Sequence, residues 1–410
     1  MGRATQILIS MVVGLAACGT PPGGEELPGQ ADLVFLETAT GLAAFDSSSG
    51  EEQVALDGAV AASDWSVVAS TEHASGVTTL TRADPAGKEL ERVDIDGDYV
   101  ASVVSGSGRL VALTSPRSPG ATPWLPDGRA QTEVVIADSS RDLQRFDLDG
   151  NFEPEAFSTD ERELFMIEYI PAMAPDRYRV RRLKLATGKV APIGRLKNAA
   201  PGQMQGTGRM QVYSPYGDEL YTLYTQQADA GHIEHEGHGK DDSHAFVHLL
   251  NLDDSWAHCI DLPMPFGMGW ATASALAISP DGRSLYVSDW SNGAVALVRP
   301  ERVRVARTKR LELGAPDDDT FATAGRERLY LAGNSQIAVL DATTLDLIDR
   351  WNLPDEVMGL ALSSDDERLH ISLDGEIVTL DARTGERTDS VSVEDGGPIA
   401  RVLSSPLDRP

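Results

Sequence analysis

Ser279-Pro280-Asp281-Gly282 is followed, after Arg283-Ser284, by Leu285-Tyr286-Val287. A turn of the kind Pro, Asp and Gly favour thus feeds a short run rich in strand-forming residues. The unit returns along the chain. Leu329-Tyr330-Leu331 lies 44 residues after Leu285, and Leu369-His370-Ile371 lies 40 further on. Upstream, Ser214-Pro215-Tyr216-Gly217 precedes Leu220-Tyr221, and Ser158-Thr159-Asp160 precedes Leu164-Phe165. The last three of these strands are each followed by another, at 294–298, 337–340 and 377–380. Polar turns such as Asp341-Ala342-Thr343 or Asp381-Ala382-Arg383-Thr384-Gly385 come next, and a fourth strand closes the unit. Four short strands every roughly 40–60 residues, joined by Gly, Asp and Pro turns, predict blades arranged around an axis.

The two ends of the chain predict how the ring closes. Residues 31–58 hold three strands, 33–37, 41–45 and 52–56, and lack an inner one. Residues 399–405 supply a strand with nothing after it, and Leu403-Ser404-Ser405 repeats Leu362-Ser363-Ser364 one period earlier. The last strand therefore completes the first blade and leaves no open edge. Further units begin near 59, 98, 151, 205, 270, 316 and 355, which makes eight blades. Seven follow if a weak unit within 59–150 is misread. The expected fold is all-β, a single propeller of four-stranded blades over 31–410. The SPDG-like turn, the LYV strand and the strand ending in Asp together resemble YVTN-type β-propeller repeats, best over 270–393. That resemblance implies a fold and no activity.

Length and composition agree with one large soluble unit. The chain has 410 residues, 41% apolar and 24% charged, with 38 Gly and 23 Pro to serve its turns. Lys and Arg number 35 against 63 Asp and Glu, a formal charge of −28. Such a surface repels phosphate backbones, so no nucleic-acid partner is expected. Two Cys cannot make a disulfide framework. The amino terminus carries Arg3 and then an apolar run, 7–17, too short for a bilayer core but the size of a secretory h-region. It ends in Leu15-Ala16-Ala17-Cys18-Gly19. This resembles the lipobox of bacterial lipoproteins, which implies cleavage after 1–17 and lipidation of Cys18. Residues 19–30, GTPPGGEELPGQ, read as a flexible tether reaching about 35 Å when extended. The expected location is the extracytoplasmic side of the cell membrane, held by the lipid. The segment 244–267, HAFVHLLNLDDSWAHCIDLPMPFG, is similar to lipoproteins of high-GC Gram-positive bacteria, a resemblance that brings a setting and no activity.

In a propeller the strands of each blade run A to D from the axis outward. The B–C and D–A connections share one face, and A–B and C–D share the other. Three B–C connections are long, 114–131, 170–177 and 225–243, in the third, fourth and fifth units. The long D–A connections 196–207 and 263–270 lie beside them on the same face. Loops on a rigid scaffold are where binding residues collect. Trp124, Phe266 and Trp270 fall in or at these loops and are the expected binding anchors. If instead they tuck under the loops, they are packing residues.

Six of the eight His lie between 232 and 258. The tract HIEHEGHGKDDSH places His232, His235, His238 and His244 among Glu234, Glu236, Asp241 and Asp242, a donor set suited to zinc, nickel or copper. The same composition also makes a solvated acidic loop. His248 lies within a strand and His258 beside Cys259; both read as packing residues. Adjacent residues on a strand point to opposite faces, which argues against a Cys259–His258 dyad. Asp94-Ile95-Asp96-Gly97-Asp98 and Asp147-Leu148-Asp149-Gly150-Asn151 look like calcium loops. The first has Tyr99 and Ser105 where an EF-hand needs Gly and Glu, so both segments read as turns. No CxxCH, paired Cys, GxSxG, GxGxxG or Walker loop occurs. The leading expectation is a monomeric, membrane-tethered binding or scaffold module for an extracytoplasmic protein or glycan, rather than an enzyme. A metal-binding lipoprotein is the alternative, and a hydrolase such as a lactonase, which propellers with similar repeats include, is the third.

Overall fold

The computed structural model describes residues 32–116, 126–195, 203–206, 208–225, 244–316, 319–394 and 396–404. These form eight antiparallel sheets of four strands in meander order, joined edge-inward into a ring. Blade 1 combines Asp32–Glu37, Gly41–Asp46 and Glu52–Asp57 with Ile399–Ser404, which pairs antiparallel to Asp32–Glu37 as the inner strand. The register sets Leu33 opposite Leu403 and Val34 opposite Val402. The expected closure and the count of eight are both observed.

Burial along each blade explains the choice of residues. The second strand of blade 6, Leu285–Asp289, is buried throughout because a neighbouring blade covers each of its faces. The third strand, Ala294–Arg299, is buried except at its end. Outer strands such as Arg387–Ser392 are mostly exposed. Period-two alternation lets one strand serve two interfaces. Val34 and Leu36 pack with Ile377 and Val391 of blade 8. Leu33 and Phe35 instead pack toward Trp65 of blade 2, whose ring lies 5.0 Å from that of Phe35. Eight such clusters occupy the eight interfaces of the ring.

The repeated turn residues have specific work. Ser105, Ser158, Ser214, Ser279 and Ser363 open the A–B turns of blades 3, 4, 5, 6 and 8, and all are buried. In each, the hydroxyl accepts from the backbone N–H five residues on, at 3.0–3.2 Å. A buried N–H at the return of the hairpin is thereby satisfied. On the C–D turns, Asp46, Asp341 and Asp381 each accept from the N–H groups two and three residues ahead, at 2.7–2.9 Å. These turns are Asx turns, the reason Asp recurs there. The two calcium-like segments are D–A turns with Gly97 and Gly150 at φ +116° and +129°.

One departure from four strands occurs. Gly194–Arg195 runs parallel to Trp256–Asp261 and adds a fifth strand to the outer edge of blade 5. The chain leaving blade 4 thus covers the rim of blade 5 on its way to the next inner strand.

Candidate functional site on the loop-bearing face

The strand boundaries assign every long connection to the expected face. Second and third strands are separated by long segments in blade 3 (Leu110–Thr114 to Gln131–Asp138), blade 4 (Glu163–Ile170 to Arg177–Lys184) and blade 5 (Glu219–Thr225 to Phe246–Asn251). The corresponding links in blades 2, 7 and 8 are two residues long. A further D–A connection, 311–319 between blades 6 and 7, extends the sector and carries no sequence signal of its own.

Neighbouring loops are tied to one another. The Arg129 N–H donates to the Ala172 carbonyl at 2.9 Å, joining the loops of blades 3 and 4. Beneath them Asn151, 2% exposed, donates from Nδ2 to the carbonyls of Asp127 (2.9 Å) and Ala172 (3.2 Å). Asn151 thus clamps two loops, a role that its place in a calcium-like turn sequence hides. Tyr178 and Met204 exchange backbone hydrogen bonds, and Arg177 Nη1 donates to Gln203 Oε1 at 3.1 Å. Between blades 5 and 6, Asp289 is buried and accepts from the Gly267 N–H at 3.2 Å and from Asn292 N–H and Nδ2 at 3.1 Å. Burial pushes the Asp289 carboxyl above its usual range, while the hydrogen bonds from Asn292 and Gly267 oppose that shift. Asp289 therefore pins the root of the 262–270 loop.

Two features of this face can meet a partner. A cavity of about 270 Å³ opens between blades 3 and 4, lined by Thr114, Ser115, Arg129, Asn151, Glu153 and Tyr169. Tyr169 donates its hydroxyl to Glu153. The lining offers donors and acceptors of both charge signs within one recess. Second, Met173, Met264, Met268 and Trp270 are 53–64% exposed. Met173 lies on the blade 4 loop and the other three on the blade 5–6 loop. Large apolar groups held out in solvent on loops of one face offer flexible, adaptable contacts.

The candidates read from sequence separate clearly. Cys18, Trp124, His232, His235 and His238 lie outside the described residues. Trp270 stands out from the loop, 64% exposed. Phe266 does not: it is 2% exposed and packs with Tyr221, Val247, Leu262 and Val287. The turn in which its N–H reaches the Pro263 carbonyl folds the ring back under the loop, so Phe266 is a packing residue and not an anchor. His244 is half-buried where the chain enters the third strand of blade 5. His248 is buried within that strand. Cys259 is buried against Tyr224 and Phe246, and burial raises its thiol well above the usual range, which disfavours the thiolate. Among the described residues no cluster of three or more His, Cys, Asp or Glu could hold a metal, and no helix is long and apolar enough to cross a membrane.

The fold and its inserted loops define an eight-bladed β-propeller carrying one elaborated face. Neither a protein-family model nor a curated protein sequence matches the chain. Solved structures do share the architecture. AztD of Citrobacter koseri, in its apo form, superposes with a TM-score of 0.53 at 12% identity, over 91% of this chain and 96% of AztD. Sqt1 of Saccharomyces cerevisiae gives 0.51 at 10% identity, over 83% and 86% of the two chains. At these identities the likeness establishes the fold alone.

Proposed function

We propose that this protein is an extracytoplasmic lipoprotein, built of YVTN-type repeats and anchored through Cys18, that captures a partner on the B–C/D–A face of blades 3 to 6. The observation that carries the reading is the exposed set Met264, Met268 and Trp270 on the 262–270 loop, whose root Asp289 pins, with Met173 exposed on the blade 4 loop of the same face. Because the ring fixes the loop roots, binding orders little beyond the loop tips. The partner is a protein or glycan of neutral or positive charge, given the chain's −28. Crosslinking pull-down from intact cells tests this. Met264→Ser/Met268→Ser/Trp270→Ala is expected to lose the partner at an unchanged melting temperature. Capture unaffected by this variant, or crosslinks mapping to the A–B/C–D face, overturns the reading. Mass spectrometry of the same membrane fraction should find diacylglyceryl-modified Cys18; a secreted chain starting downstream of it removes the anchor.

A second reading concerns the same face. The His-rich tract 232–244 belongs to the B–C connection of blade 5, and the similar AztD structure is described as apo. We propose that His232, His235, His238 and His244 bind zinc, nickel or copper. Imidazoles coordinate when neutral, so affinity should fall below about pH 6. Calorimetry on untagged protein is expected to show metal binding that His232→Ala/His235→Ala/His238→Ala abolishes; equal heat from that variant refutes it.

A further inference from the structure

The geometry points to a second binding site, on the opposite face, for a phosphate-type oxyanion held by Arg283, Arg299 and Arg302 of blade 6. Between residues 283 and 310 the chain has seven basic and two acidic residues, a net +5 that leaves −33 for the remainder. The outer strand of this blade, Arg304–Arg310, reads RVARTKR. Charges on an outer strand also block edge-to-edge pairing, but either sign does that. The fourth strands of blades 1, 2, 3, 5, 7 and 8 all include Asp, and that of blade 4 carries a single Lys. Edge protection therefore leaves the single sign of blade 6 unexplained.

The arginines converge where the A–B and C–D turns of the blade meet. Arg283, Arg299, Glu301 and Arg302 line a cavity of about 540 Å³, within the size range of small-molecule sites. Arg299 is fixed at its base, donating from Nη1 to the Arg283 carbonyl at 3.1 Å and to the Ser284 hydroxyl. Arg283 and Arg302 stand exposed at the rim. The nearby carboxylates are largely engaged. Asp281 accepts from the Ser279 hydroxyl at 2.6 Å and the Arg283 N–H at 3.1 Å, and Glu301 sits 3.5 Å from Arg302 with both side chains more than half exposed. Among the described residues no contact within 4.0 Å pairs Arg283 or Arg299 with a carboxylate; Asp281, held below its usual range first by the Ser279 hydroxyl and then by the Arg283 N–H, feels the charges of both arginines from further off. Guanidinium forks match phosphate oxygens in pairs, and a dianion answers more of three like charges than a carboxylate does. The ligand is a phosphate group, whether of a soluble phosphorylated molecule or of an acidic lipid headgroup. This site stands independently of the loop-face reading.

The test uses the full chain carrying Cys18→Ser, which has no acyl anchor. Titration with inorganic phosphate is expected to give saturable heat, weakened about tenfold or more in Arg283→Ala/Arg302→Ala. Both side chains are exposed, and an unchanged near-ultraviolet circular dichroism spectrum confirms folding. Arg326→Ala/Arg387→Ala removes the same charge from sites paired with Asp366 and Glu376 and should leave the heat unchanged. Flotation on phosphatidylglycerol against phosphatidylcholine vesicles separates the sources. Preference for phosphatidylglycerol that the double variant loses identifies a lipid headgroup; phosphate heat without that preference identifies a soluble ligand. Absence of both responses, or responses equal in Arg283→Ala/Arg302→Ala and the parent, overturns the site.

Discussion

Deletion of residues 396–410 should abolish cooperative melting and turn the protein into an aggregating species. The deletion removes Ile399–Ser404, the inner strand of blade 1. Asp32–Glu37 then presents an unpaired row of N–H and C=O groups, a template for pairing with another chain. Val402 and the partly buried Ile399 also leave the cluster that joins blades 8 and 1. A buried Val is worth about 1.5–3 kcal/mol by itself, against a typical domain stability of roughly 5–15 kcal/mol. Among the described residues the cluster facing blade 2 has only Leu33, Phe35 and Ala44 as buried members, and it loses Ala400 and Leu403 at the same time. Scanning calorimetry with size-exclusion chromatography decides the matter. A sharp, unshifted transition from a monomeric peak would mean that the ring does not depend on this strand.

Asp32→Ala is the point substitution expected to cost most. Asp32 and His370 are both fully buried. The carboxylate can only accept, so the imidazole donates from Nε2 to Asp32 Oδ2 at 2.8 Å, while its Nδ1 meets the Thr379 hydroxyl at 3.0 Å. Arg368 reaches the same carboxylate at 3.2 Å. The backbone of Asp32 is held as well, its N–H donating to the Ser47 hydroxyl at 2.8 Å. Removing the carboxylate leaves a donor on His370 without an acceptor and takes from Arg368 one of its two carboxylates, Asp365 remaining at 3.5 Å. Breaking a buried pair of this kind costs about 3–5 kcal/mol. Urea unfolding should show that loss, with Asp32→Asn intermediate because it keeps an acceptor without the charge. His370→Ala combined with Asp32→Ala should cost less than the two separately, since both dismantle one network. Additive losses would show that the two residues act apart.

Particular residues explain why much of the ring was legible in the sequence. Ser279 and its four counterparts recur because each satisfies the same buried N–H, so the A–B turn repeats as letters as well as geometry. Leu403-Ser404-Ser405 betrays the closing strand because it repeats Leu362-Ser363-Ser364 one period earlier. Local pattern fails where the partner is remote. Asp32 and His370 are 338 positions apart, and nothing near either marks the contact. Gly194–Arg195 pairs parallel with a strand about sixty residues later and looks like loop in the sequence. For the candidate site, strand spacing gives the face but not the direction of a side chain. Trp270 and Phe266 share one loop, and only the turn at Pro263 sends one outward and the other in. The arginines of blade 6 escaped notice because net charge averages a local excess away.

The strand order of blade 1 sets how the ring answers a mechanical load. Asp32–Glu37 is the second strand of its blade, flanked by Ile399–Ser404 on one side and Gly41–Asp46 on the other. Its inter-strand hydrogen bonds lie across the strand direction. A pull on the chain at Asp32 along the strand therefore loads both ladders in shear, all bonds together, instead of peeling them one at a time. Had the chain entered through an outer strand, one ladder would unzip from its end. Force drawn through the amino-terminal segment meets the ring where it is gripped from both sides.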